Sequence, residues 1–284
     1  MLRNLRYFAE AVGLIIVMGG FRLLPLDASS SLGGIIARMF GPLSRAHKTA
    51  QQNLEAALPQ LTEHERKRIL SEMWDNIGRV FGEYPHLSLD TMRPRITIEG
   101  MEYLQDIKDS GKSAIFVSGH FANWELAPLS AALSGMPLIV LYRAANNPFT
   151  DWLISEIRSH YCRSSHKKGR EGATATLKAL RDGISVGMLI DQKMNDGKPV
   201  EFFGRPAMTA TAAASLAIKM QVPLLPARVV RTDGAHFHVT LEAPRYYDRH
   251  ASPEAAMLDL NRLYESWIRE NPGQWFWVHR RWGK

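Results

Sequence analysis

The chain has 284 residues, 45% of them hydrophobic, enough to bury a sizeable core and too many for a disordered chain. A formal net charge of +7 favours anionic partners (phosphorylated lipid, a membrane surface, an acidic protein or nucleic acid), or does no more than keep a basic surface soluble. The single cysteine, Cys162, excludes an internal disulfide and a cysteine-rich metal site.

The N-terminus opens with Arg3 and Arg6, followed by the apolar residues 11–21, then Arg22 and residues 23–26 with Pro25 inside. A spanning helix wants about 20 apolar residues, and this stretch is shorter and interrupted by Arg22. A basic start and a short apolar core give the outline of a signal peptide, but no clear A-x-A cleavage site follows. Residues 1–26 therefore read as an uncleaved membrane anchor, either a short tilted span or an interfacial helix. A buried first helix is the plainer alternative.

Residues 51–57 and 63–81 have helical periodicity, with Ile69, Met73, Ile77 and Val80 on one stripe. Residues 96–98 predict a short strand and 101–110 a helix. Gly111-Lys112-Ser113 is not a phosphate loop, because Asp106 stands where its first glycine belongs and the triplet precedes a strand.

Residues 113–128, SAIFVSGHFANWELAP, are the stretch around which the chain is organised. The apolar run 114–117 reads as a buried parallel strand ending in Ser118-Gly119. Asn123 suits a helix N-cap and Glu125 the first helical turn. His120 thus sits in a tight turn at the carboxyl end of a strand, where ligands and chemistry collect. On a continuous helix, residues five apart lie about 140° from one another. With His120 on the turn, Glu125 can reach it, fix its tautomer and leave the other ring nitrogen as a base. The alternative is a histidine satisfied by a structural hydrogen bond. A second His-x4-acid match, His166/Glu171, lies in a polar stretch and is read as accidental.

Residues 137–141 form a second apolar run with Tyr142-Arg143 at its end, and Asn147-Pro148 opens a helix bearing Arg158. Next come a basic loop over 163–170, a helix over 173–180 and a third apolar run, 186–190, with Asp191 at its end. Three runs ending in His120, Arg143 and Asp191 suggest one cleft at one sheet edge. Residues 193–198 read as a loop and 209–220 as a small-residue helix. Residues 222–230 read as a strand that Pro226 assigns to an edge or a bulge; 237–241 is a strand and 253–270 a helix. Trp275, Phe276 and Trp277 before His279, Arg280 and Arg281 suit a membrane interface, a single-strand nucleic-acid groove, or a terminal segment docked on the core. Alternating strands and helices give an α/β class, with a mainly parallel central sheet flanked by helices.

Residues 119–125, GHFANWE, resemble the signature of the lipid A late acyltransferases. Tyr142-Arg143 with Asn147-Pro148 resembles that family's YRxxxNP segment. Asp191-Gln192, Phe202-Phe203-Gly204 and residues 207–211 resemble its DQ…FFG…A-T stretch, and residues 274–282, QWFWVHRRW, its C-terminal signature. The resemblance implies a glycerol-3-phosphate-acyltransferase-like fold, with the hydrophobic anchor helix (1–26) ahead of an acyltransferase domain (27–284). It implies transfer of a fatty acyl chain, lauroyl for preference, from acyl carrier protein to a hydroxyl of a Kdo-bearing lipid A precursor. This would occur at the cytoplasmic face of the inner membrane, in lipopolysaccharide biosynthesis. No cofactor, no metal and no nucleic-acid partner is implied. His120 would be the base and Glu125 its orienter, with Arg158 and backbone N–H groups near Gly119 as donors to the oxyanion. Arg158 and Asp191 match positions the family uses functionally. Arg143 would meet a lipid phosphate or sugar carboxylate, with Asn147 as a further substrate contact. Acylation of another glycolipid, such as a phosphatidylinositol mannoside, stands as one alternative, and a non-catalytic membrane-surface module or a nucleic-acid binder as others.

Overall fold

The structure, a computed structural model, describes residues 2–283. Its helices are α1 (Leu2–Leu23), α2 (Leu26–Phe40), α3 (Arg45–Ala57), α4 (Glu63–Glu83), α5 (Leu89–Met92), α6 (Met101–Asp109), α7 (Leu126–Leu133), α8 (Pro148–Ser159), α9 (Arg170–Arg181), α10 (Ala212–Met220) and α11 (Pro253–Glu270). Its strands are β1 (Ile96–Glu99), β2 (Ile115–Ser118), β3 (Ile139–Tyr142), β4 (Ser164–Lys167), β5 (Val186–Leu189), β6 (Lys193–Phe202), β7 (Arg205–Thr209), β8 (Leu224–Asp233) and β9 (His236–Leu241).

Among the described residues seven strands form one sheet, in the order β1-β9-β8-β2-β5-β3-β4, and β6 and β7 make a separate antiparallel hairpin. From β8 to β4 all neighbours are parallel; β9 runs antiparallel to β8, and β1 is parallel to β9. The mainly parallel α/β class read from the sequence is thus present. Helices cover both faces. Because side chains alternate along a strand, Ile115 and Val117 of β2 enter one core with α3, α4 and α9 to α11, while Phe116 enters the other with α6 and α7.

Local readings change or are decided: residues 193–198, read as a loop, begin strand β6. The basic segment 163–170 is not all loop, since Ser164–Lys167 adds to β3 as edge strand β4. The strand holding Pro226 is interior, between β9 and β2. Pro226 is tolerated because it ends the β2 ladder (Val117↔Pro226), one residue before the β9 ladder begins at Ala227↔Leu241, so its missing N–H costs little. The C-terminal aromatic segment is docked on the core: Trp275, Trp277 and Trp282 are buried, and Arg281, 1% exposed, donates to the Met208 carbonyl (3.2 Å) and to Thr209 Oγ1 (2.8 Å). Its three tryptophans are thus part of the core rather than of the surface.

The N-terminus also departs from expectation. Among the described residues no helix is long and apolar enough to cross a membrane. Charged Arg6, Glu10 and Arg22 lie within α1 itself and interrupt its apolar stretch. Helix α1 instead leans on α8 and the residue before it: Phe8 meets Phe149 edge-on at 5.9 Å, and Asn147 Nδ2 donates to the Tyr7 carbonyl at 2.8 Å. Helix α2 is inside-out. Its buried face is Ser29, Ser30, Gly33 and Gly34, while Leu32, Ile35, Ile36, Met39 and Phe40 are exposed at helical spacing. Small residues let α2 lie on α4 at backbone distance: a Cβ on Gly33 would stand 2.2 Å from the Gly78 carbonyl oxygen.

Candidate active site

Strands β2 and β5 are neighbours in register, Ser118 opposite Leu189. Two residues further on, each chain leaves the sheet, so His120 and Asp191 face one another. Asp191 Oδ1 accepts from His120 Nδ1 at 2.8 Å, and Oδ2 accepts the His120 backbone N–H at 2.8 Å. Trp275 Nε1 donates to the same Oδ2 at 2.9 Å. Burial opposes the charge on Asp191, but the His120 charge and these hydrogen bonds outweigh it, and its pKa falls to about 2. An ionised carboxylate can only accept, so Nδ1 of His120 carries a proton, and Nε2 is the ring nitrogen left for proton exchange. The Gln192 amide nitrogen lies 3.3 Å from that Nε2. The ring is packed between Trp124 (5.2 Å between centroids) and Phe276 (5.7 Å), and its side chain is 17% exposed. This is a held, partly open imidazole with Nδ1 fixed by a carboxylate and Nε2 on the open side, next to an amide.

Glu125 does not orient His120. The turn ends so late that Glu125 sits at the very start of α7, aimed toward α8. There its Oε2 accepts from Arg158 Nε (2.9 Å) and Tyr161 OH (2.8 Å), and its Oε1 from Arg158 Nη2 (2.5 Å) and Tyr84 OH (2.6 Å). Burial disfavours the carboxylate here, yet Arg158 and the two phenols bring its pKa down. Asp191 has taken the orienting place. Arg158 is correspondingly committed below the site, its guanidinium over the Tyr142 ring at 5.0 Å, with Nη1 buried and unpartnered. The expected backbone donors are used as well: besides His120 N–H, that of Phe121 goes to the Gly119 carbonyl and that of Ala122 to the Gln274 carbonyl.

Arg143 follows β3 at the same sheet edge as His120 and Asp191, exposed, as the three run ends had suggested. Asn147 is not turned to a substrate. Its Oδ1 caps α8 at Phe149 N–H (3.0 Å), and its Nδ2 ties α8 to α1. His166 bonds to Ser164 at 2.9 Å, and Lys167 is paired with Asp151 at 2.8 Å. Cys162 is buried, and burial pushes its thiol up to about 12. Beside Glu125 and Arg158 lies a narrow, mostly apolar cavity of about 40 Å³ between Phe116, Trp124, Pro128, Leu138 and Val140.

The whole chain, residues 1–284, matches the family described as "Bacterial lipid A biosynthesis acyltransferase". The chain belongs to that family. It is similar to the lipid A biosynthesis lauroyltransferase of Escherichia coli, 26% identical over 84% of this chain and 79% of that one. It is also similar to the palmitoleoyltransferase of the same organism, 25% identical over 91% and 86%, and to a lipid A biosynthesis acyltransferase of Haemophilus influenzae, 24% identical over 90% and 81%. A 1-acyl-sn-glycerophosphate acyltransferase of Thermotoga maritima aligns over 84% of this chain and 99% of its own, at 13% identity and a TM-score of 0.40, too distant to carry weight. In this lipid A acyltransferase family member the two ends of GHFANWE serve different clusters: His120 the Asp191 dyad, and Glu125 the Arg158 pair. Membership does not favour the non-catalytic readings. Four site residues went unassigned at the level of sequence. Gln192 and Trp275 stood inside the quoted DQ and QWFWVHRRW motifs, whereas Tyr84 and Tyr161 carried no signal at all.

Proposed function

We propose that the protein moves a fatty acyl chain, lauroyl for preference, from acyl carrier protein to a hydroxyl of a Kdo-bearing lipid A precursor. The observation that carries this is the His120–Asp191 dyad, whose Nε2 faces the Gln192 amide nitrogen at 3.3 Å. The acceptor hydroxyl gives its proton to His120 Nε2, and its oxygen forms a bond to the thioester carbonyl carbon. Asp191 stabilises the imidazolium. The tetrahedral oxyanion then collapses, the carbon–sulfur bond breaks, and the departing carrier thiolate takes the proton back from His120. Direct attack by the hydroxyl needs no enzyme nucleophile. The Gln192 amide, next to Nε2, is the nearest side-chain donor for the oxyanion. The apolar cavity beside Trp124 gives the chain's first carbons a dry lining.

Membrane contact at the cytoplasmic face of the inner membrane is part of the same reading. It is supported by the inside-out pattern of α2, since small residues inward and large apolar residues outward is the arrangement of helices that face lipid. Helix α1 exposes Phe8, Val12, Ile15 and Ile16 in the same manner. We place both helices flat in the interface. The test is acyl transfer from a lauroyl-loaded carrier to the purified precursor, with the product read by mass spectrometry. Wild-type protein should form the added ester, and His120→Ala should lower turnover roughly 10²–10⁴-fold. Near-normal turnover in His120→Ala overturns the assignment of the base.

A further inference from the structure

Behind the turn that carries His120 lies a buried polar network that the chemistry does not use. It centres on Ala122, fully buried with φ +45°. A left-handed backbone is disfavoured for a residue with a Cβ and persists only where the surroundings over-determine it. Here the Ala122 N–H donates to the Gln274 carbonyl at 2.8 Å, and Asn76 Nδ2 of α4 donates to the Ala122 carbonyl at 3.1 Å. Asn76 Oδ1 accepts from Arg231 Nε of β8 at 3.1 Å. The Gln274 side chain pairs with the Arg231 backbone in both directions, at 2.8 and 2.9 Å. Arg231 donates through Nη1 and Nη2 to Glu83, which is fully buried. Glu83 also accepts from Asn123 Nδ2 at 2.9 Å and from Ser30 Oγ of α2 at 2.7 Å.

We propose that Asn76, together with the Glu83–Arg231 pair, is a positioning residue for the transfer reaction, holding the left-handed turn at Ala122 so that His120 is aimed at the acceptor. This rests on the reading of His120 as the base. Asn76 and Glu83, themselves bonded to Arg231, bond to the turn behind His120 rather than to its ring. The network acts through the two residues Ala122 and Asn123, while the 274–276 strap holds the near side, with Phe276 N–H on the His120 carbonyl at 3.1 Å. If the Ala122 carbonyl lost its α4 donor, the backbone would relax out of the left-handed well and carry the imidazole with it. A misplacement of about 1 Å is enough to cost on the order of 10²-fold in rate.

Asn76→Asp is the sharpest test. It keeps the size of the side chain and its acceptor toward Arg231, and it replaces the donor to Ala122 by a second carboxylate oxygen that repels the carbonyl. Asn76→Ala is the second variant, and it too leaves the Glu83–Arg231 pair in place. Both are assayed for acyl transfer beside His120→Ala, with the folded fraction followed by circular dichroism. The expected result is a fall in kcat of about 10–100-fold per folded molecule, with KM for carrier and acceptor each within about twofold. Wild-type kcat in either folded variant overturns the proposal, as does a loss of activity that tracks the folded fraction alone. If His120→Ala is inactive while Asn76→Asp is normal, positioning fails and the base assignment stands. If His120→Ala stays active, the base assignment fails and this proposal with it.

Discussion

Asp191 grips His120 at two points, one carboxylate oxygen on ring Nδ1 and the other on the residue's own backbone N–H, each at 2.8 Å. One side chain thereby sets both the tautomer of the imidazole and the path of the chain that carries it. Asp191→Asn should disturb both, because an amide can offer a donor where the carboxylate only accepts. We expect kcat to fall roughly 10²–10⁴-fold with little change in KM, the range for losing general acid–base help. Trp275→Phe, which removes a single donor to Oδ2, should cost less. Steady-state kinetics with both substrates varied decides it, and Asp191→Asn at full kcat would refute the dyad.

Acid stability should report the same carboxylate. The folded pKa of Asp191, about 2, lies below the ordinary value of 3.8. A group depressed in the folded state contributes stability that is fully present above its unfolded pKa and is lost as the pH falls through the folded value. The contribution is about 2 kcal/mol for this buried group, disappearing between about pH 5 and pH 2. Urea unfolding across that window should show a steeper loss in wild type than in Asp191→Asn. Parallel curves would remove the effect.

Glu125 and Arg158 predict a different phenotype. Both side chains are buried, at 2% and 10% exposure, so removing one leaves the other uncompensated. Glu125→Ala should destabilise the fold by about 3–5 kcal/mol. Arg158→Met in the same background should recover part of this, as a double-mutant cycle of thermal or urea unfolding would show. A stable, inactive Glu125→Ala would instead return Glu125 to the chemistry.

Membrane contact through α2 is tested by Ile36→Ser, Met39→Ser and Phe40→Ser together. These side chains are exposed in the fold, so circular dichroism should be unchanged. Each loses part of the roughly 1.5–3 kcal/mol of a large apolar side chain. Partition onto anionic phospholipid vesicles, measured by flotation, should drop at least about tenfold. Unchanged flotation would exclude this face.

Carrier docking should fall on Lys168 rather than Lys167, because Lys167 is already paired with Asp151. Lys168 is exposed, immediately after edge strand β4 and beside Arg143 at the end of β3. Lys168→Glu should raise KM for the carrier about 2–5-fold, the range for an exposed charge pair. It should also weaken the salt dependence and leave kcat unchanged. Equal KM values at low and high salt would exclude a docking role.

Much of this was legible in the chain itself. Apolar runs bounded by turn residues located β2, β3 and β5, and a Ser-Pro start with helical periodicity gave α11 its residues 253–270. The turn after Ser118 put His120 at a strand end. These are local properties, written in spacing and in backbone preference. Which acid His120 would meet is a different kind of fact. Glu125 is five residues away and Asp191 seventy-one, yet the nearer one is turned aside into the Arg158 pair. Sheet order decided this: β5, not β3, lies against β2, and the parallel register Ser118↔Leu189 carries the two chains off the sheet side by side. The same holds for α2. Only its contact with α4, at glycines where no Cβ would fit, turned the apolar stripe outward, because two backbones pressed together leave room for large side chains on the far side alone.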